Sequence, residues 1–133
     1  MDSISVELPG SEIGDVSFQD GCLRIHFSRA YIVKTMTGSL ERTRWWQSGD
    51  LIMEGAEPRT PLPAGAMVCD GGDIDDNVFT YRDMIPIPLD TRGHTRCELR
   101  LRGASQRLVA EGAALRLEMK DVPKYIEHIR SNN

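Results

Sequence analysis

Long apolar runs are missing from this 133-residue chain. Nowhere do about 18 consecutive apolar residues occur, the length that a helical membrane span requires. The N-terminal stretch MDSISVELPGSEIGD has neither a basic leader nor an apolar core, so no export signal is expected from it. Cysteine is scarce: Cys22, Cys69 and Cys97 are odd in number, widely spaced and without a C-x-x-C pair. That excludes a disulfide framework as the organising device and points to a reducing, cytoplasmic setting. Lysine is scarcer than arginine, 3 against 13, and acidic residues exceed basic ones for a net charge of −4. Nucleic-acid binding, which calls for a basic excess, is therefore not expected. Neither a glycine-rich phosphate loop nor a G-x-S-x-G nucleophile elbow occurs, and no histidines stand at metal-ligand spacing.

What is present is a period of two. In the run 94–102, Thr95, Cys97, Leu99 and Leu101 take one side, and His94, Arg96, Glu98, Arg100 and Arg102 take the other. Such alternation describes a half-buried antiparallel strand. Asp20-Gly21 separates two alternating segments, the strongest short hairpin signal, with Leu23, Ile25 and Phe27 directed inward. A second hairpin is expected around Ser48-Gly49, joining Arg42–Gln47 to Leu51–Glu54. The proline-rich stretch 57–65 reads as a crossover too short to link two domains. Pro86 and Pro88 confine their segment to an edge or an irregular crossing. Only the end reads as a helix, over 121–130, with Asp121 as N-cap, Pro123 in the first turn, and Val122, Tyr125, Ile126 and Ile129 on one side.

These patterns predict one all-β domain over residues 1–133. Its expected form is an antiparallel β-sandwich, or a barrel-like variant, of nine or ten short strands with a short C-terminal helix.

Three surfaces compete as functional sites. The stretch CDGGDIDDN (69–77) is expected to be an acidic loop between two strands. Asp73-x-Asp75-x-Asn77 matches the start of an EF-hand, but Val78 stands where the glycine belongs and Met84 where the bidentate glutamate belongs. A non-EF calcium loop built from Asp70, Asp73, Asp75 and Asn77 remains as a reading. Turn propensity and mutual repulsion explain the same residues without a metal. Arg96, Arg100 and Arg102 share a strand face suited to an anion if their guanidinium groups are unpaired, although cross-strand carboxylates would equally account for them. Trp45 and Trp46 must face opposite ways, with Trp46 expected in the core and Trp45 on a mixed surface open to a partner or a second copy of the chain.

For catalysis, the candidates are His94 and Asp90, the carboxylate orienting the ring across a tight turn. The ranking that results is a non-catalytic binding or protein-interaction module first. Its candidate surface is Trp45 with Arg96, Arg100 and Arg102, its ligand a protein or small anion, with homodimerisation open. A calcium module comes second and a hydrolase-like enzyme third. No cofactor other than calcium is expected, nor any membrane partner.

Overall fold

The computed structural model describes residues 3–36, 38 and 41–129. They form nine strands: β1 (Ser3–Gln19), β2 (Cys22–Thr35), β3 (Arg42–Glu54), β4 (Glu57–Pro58), β5 (Met67–Asp75), β6 (Thr80–Arg82), β7 (Met84–Pro86), β8 (Asp90–Leu101) and β9 (Leu108–Ile129). All pairings are antiparallel, in the order β6-β5-β8-β9-β3-β2-β1-β7, and β4 pairs with β9. β5 also meets β1 through Glu12↔Val68 and Ile13↔Met67. The ladder that starts at β1 and runs through β2, β3, β9, β8 and β5 therefore returns to β1.

Much of the period-two reading holds. Thr95, Cys97, Leu99 and Leu101 are buried on β8 while their neighbours point outward. Leu23, Ile25 and Phe27 are buried on β2, and Asp20 and Gly21 both take positive φ, 54° and 75°, as a two-residue hairpin turn requires. Pro86 ends the edge strand β7. The core gathers inward residues of every long strand, among them Val6, Ile13, Phe27, Leu51, Ile74, Leu99 and Leu115. Burial of each large apolar side chain contributes about 1.5–3 kcal/mol against exposure.

Three expectations are corrected. The C-terminal helix is absent: β9 continues as a strand through Ile129, with residue 130 outside the described residues. The open backbone edge of β3 overrides helix propensity, for Arg44, Trp45 and Trp46 pair with Glu127, Tyr125 and Lys124. The Ser48-Gly49 hairpin is likewise absent, because β3 runs straight through it. Gly49 serves close packing instead: a Cβ there would lie 2.8 Å from Met119 Sδ and 3.0 Å from the Glu118 carbonyl. Finally, the strands are not uniformly short, as β1 and β9 span 17 and 22 residues.

Candidate functional site

The long strands stay continuous only by breaking register, and four of them do so at one level. β1 shifts between Glu7 and Glu12, where Pro9-Gly10 interrupts it, and β2 shifts between Phe27 and Ala30. Between Trp46 and Ser48 of β3, the facing β9 residues run from Lys124 to Lys120, and Asp121 adopts φ 62°. Such bulges bend a sheet and increase its twist. Ser11, fully buried, ties the bend together: its hydroxyl donates to the Glu7 carbonyl at 2.6 Å and accepts from the Tyr31 amide at 3.0 Å.

A groove of about 500 Å³ lies on this bend, lined by Glu7, Pro9, Arg29, Tyr31, Arg44, Trp46 and residues 125–127. Glu7, Tyr31, Trp46 and Lys124 are direct cross-strand neighbours in one row. The Arg29 guanidinium sits 4.4 Å from the Trp46 ring centre and the Lys124 ammonium 4.7 Å. Arg44 is gripped by Glu7 at 3.2 Å and Glu127 at 3.0 Å, while its buried Nε has no hydrogen-bond partner among the described residues.

The tryptophan assignment is thereby inverted. Trp45 packs against the core in a row with Val6 and Ile32. Tyr125 meets it edge-on at 5.3 Å, Lys34 covers its ring at 4.2 Å, and its indole N–H donates to Thr43 Oγ1 at 2.9 Å. Trp46 is the one that lines a groove. The expected Ser48-Gly49 hairpin would set Trp46 opposite Leu51, but in the uninterrupted strand Leu51 and Trp45, six residues apart, share the inward side.

Arg96, Arg100 and Arg102 do share the outer face of β8, but each has a carboxylate. Arg96 bonds Glu98 at 2.9 Å, Arg100 bonds Asp83 at 3.1 Å, and Arg102 bonds Asp70 at 2.8 Å. Glu98 also accepts from Arg107, and the two guanidinium groups hold its carboxyl below the usual range. Trp45 and this face are not one surface. Trp45 lies opposite Tyr125 near the end of β9, whereas Arg96 lies opposite Glu111 near its start.

The acidic stretch is not a loop: residues 69–75 belong to β5, and only 76–79 turn the chain. Asp73 and Asp75 flank the buried Ile74, Asp73 lies 3.5 Å from Arg82, and Asp75 accepts from the Thr80 hydroxyl. Asp76 caps the turn by accepting from the amides of Val78 and Phe79, which hold its carboxyl below the ordinary value. Asn77, at φ 85°, supplies the turn's left-handed residue. Among the described residues no group of three His, Cys, Asp or Glu side chains converges as a metal site would require. The melting temperature is accordingly expected to move by less than about 2 °C in millimolar calcium, whereas occupancy at a hundred times Kd would add about 2.7 kcal/mol and several degrees.

His94 is not oriented by Asp90. Its Nε2 lies 3.2 Å from Glu111 on the neighbouring strand, and the register shift between Arg92 and Thr95 separates the two candidates. Burial pushes the Cys69 thiol up to about 11 and the Cys97 thiol up to about 12, far from a reactive thiolate.

Pattern reading missed Asp50, which is buried on the outward side of β3. Arg24 and Lys120 hold one carboxylate oxygen, Lys120 at 3.4 Å, and His26 Nδ1 lies 2.7 Å from the other. The outward placement of Arg24 and His26 beside a strand containing one aspartate was the available signal. Comparison of the chain with protein-family models found no match, and comparisons with curated proteins and with solved structures found none either.

Proposed function

We propose that this chain is a non-catalytic binding module whose groove at the sheet bend receives an extended segment of a protein partner. The observation that carries this reading is the convergence, along one bend, of an aromatic wall with fixed charges of both signs. An extended peptide offers apolar side chains, amide groups and charges together, which is the combination that Tyr31, Trp46, Arg29 and Glu7 complement. A small anion fits less well, since Arg44, Arg96, Arg100 and Arg102 already hold carboxylates. The return of the strand ladder to β1 supports a barrel-like form over two separate sheets. Cysteines free of disulfides support a reducing, cytoplasmic setting.

The groove is a better interface than the open edge of β9. Beyond Leu117 that edge carries Pro123, Lys124 and two register breaks, devices that discourage strand addition by a second chain.

The test is a selection from a displayed random peptide library, followed by titration of the enriched peptides. Trp46→Ala and Arg44→Gln, each checked for an unchanged far-ultraviolet spectrum, are expected to weaken binding at least tenfold. Arg100→Ala is expected to leave it unchanged. Peptides that bind Trp46→Ala and Arg44→Gln as tightly as the parent would place the interface elsewhere.

A further inference from the structure

A second pocket, of about 340 Å³, opens on the outer face where β8, β9 and β3 lie side by side. Asp90, Arg92, Ala114, Arg116, Glu54 and Leu115 line it. Register places Asp90 opposite Arg116, and Arg92 opposite Ala114, which in turn faces Glu54. The methyl group of Ala114 leaves the space beside Arg92 open.

Two of the four charged side chains are already committed. Arg116 bonds Glu118 at 2.9 Å and Glu54 at 3.2 Å, and these carboxylates hold its guanidinium firmly protonated. Arg92 and Asp90 differ. Both are exposed, both point to the same side of β8, and neither side chain has a hydrogen-bond or ion-pair partner among the described residues. Elsewhere on this molecule neighbouring opposite charges do pair: Arg96 with Glu98 on β8 and Arg116 with Glu118 on β9, each at the same two-residue spacing. Arg92 and Asp90 share that spacing and remain apart.

We propose that this pocket is a binding site for a small zwitterion of the α-amino-acid class, its carboxylate on Arg92 and its ammonium on Asp90. Residues two apart on a strand stand about 6.6 Å from one another. A small ligand with an ammonium and a carboxylate on one carbon can meet both neighbouring side chains at once through charge-assisted hydrogen bonds of about 2.8 Å. A lone cation or a lone anion would satisfy one side chain and leave the other unpaired. The site thus selects molecules carrying both charges. The inference stands apart from the peptide groove, which lies on the bend and shares none of these lining residues.

Isothermal titration calorimetry with glycine and with L-alanine tests it, using methylamine and acetate as single-charge probes. One saturable site is expected for glycine and alanine, with methylamine and acetate at least tenfold weaker. Arg92→Gln and Asp90→Asn, both exposed and so neutral for folding, are each expected to cut glycine affinity about tenfold or more. Trp46→Ala should leave it unchanged. The absence of saturable heat from either amino acid would overturn the proposal. So would equal binding by methylamine or acetate, or glycine binding that survives both substitutions.

Discussion

Replacing Gly72 with alanine is expected to destabilise the fold by about 4 kcal/mol or more, the range reserved for changes that force backbone apart. Gly72 sits in the middle of β5, opposite Leu99 of β8. An added Cβ would fall inside the van der Waals envelope of the Glu98 carbonyl oxygen and 2.9 Å from Leu99 Cα. Both atoms belong to a paired strand, so neither can swing aside as the tip of a long side chain could. The Gly72 backbone is also held on the other side: its amide donates to Asp83 Oδ1 at 2.9 Å, and its carbonyl accepts from the Asp83 amide at 2.7 Å. Urea denaturation of Gly72→Ala beside Asp70→Asn, Asp73→Asn and Asp75→Asn measures the contrast. The three aspartate variants, each removing a surface pairing, are expected to cost less than about 1 kcal/mol apiece. A Gly72→Ala variant within 1 kcal/mol of the parent would mean that β5 and β8 separate more readily than their packing implies.

That contrast explains why CDGGDIDDN is misread as a loop. Its composition, aspartate and glycine, is that of turns, and turn propensity is a local quantity. The decision is made by β8, whose strict alternation was readable and whose backbone needs a partner. Glycines at 71 and 72 let β5 approach β8 and clear the Arg100 and Asp83 side chains that lie over it. The same argument governs Gly49, which resembles a turn residue and instead admits Met119. Elements whose signal lies in their own residues, such as the Asp20-Gly21 turn and the inward set on β8, were legible. Elements whose state depends on a distant partner, such as 121–129 against β3, were not.

The groove belongs to this second kind. Pro9-Gly10 marks a break in β1, but nothing local aligns that break with those of β2, β3 and β9. Alignment is a property of register, and it is the unbroken run of β3 through Ser48-Gly49, set by its pairing with β2 and β9, that puts Trp46 on the groove wall instead of in the core. By contrast, the carboxylate partners of Arg96, Arg100 and Arg102 were foreseeable in kind. Only Glu98 was close in sequence; Asp70 and Asp83 come from β5 and the residue joining β6 to β7.

Asp50→Asn is expected to lower stability by about 2–3 kcal/mol at neutral pH, and this deficit should shrink in acid. Burial by itself would raise the Asp50 carboxyl, but hydrogen bonds from His26, Arg24 and Lys120 outweigh that desolvation and hold it below its usual 3.8. Charge-assisted hydrogen bonds to a buried acceptor are worth about 1.5–3 kcal/mol each when lost singly, and they are not additive. Asparagine keeps the shape but carries no charge, leaving Arg24 and Lys120 without their counter-ion. The sign follows from the depressed value. A carboxyl that ionises more readily in the folded state contributes fully above the unfolded value, near 3.8, and loses that contribution as pH falls through the folded one. The gap between parent and variant should therefore close progressively below about pH 4, because the parent then protonates Asp50 and the variant has nothing to lose. Urea midpoints of both proteins from pH 7 to pH 2.5 measure that gap directly, and other carboxylates cancel because the two proteins share them. A gap of equal size at every pH would show that the substitution acts through packing over Ile52, buried on the same side of β3, rather than through the charge of Asp50.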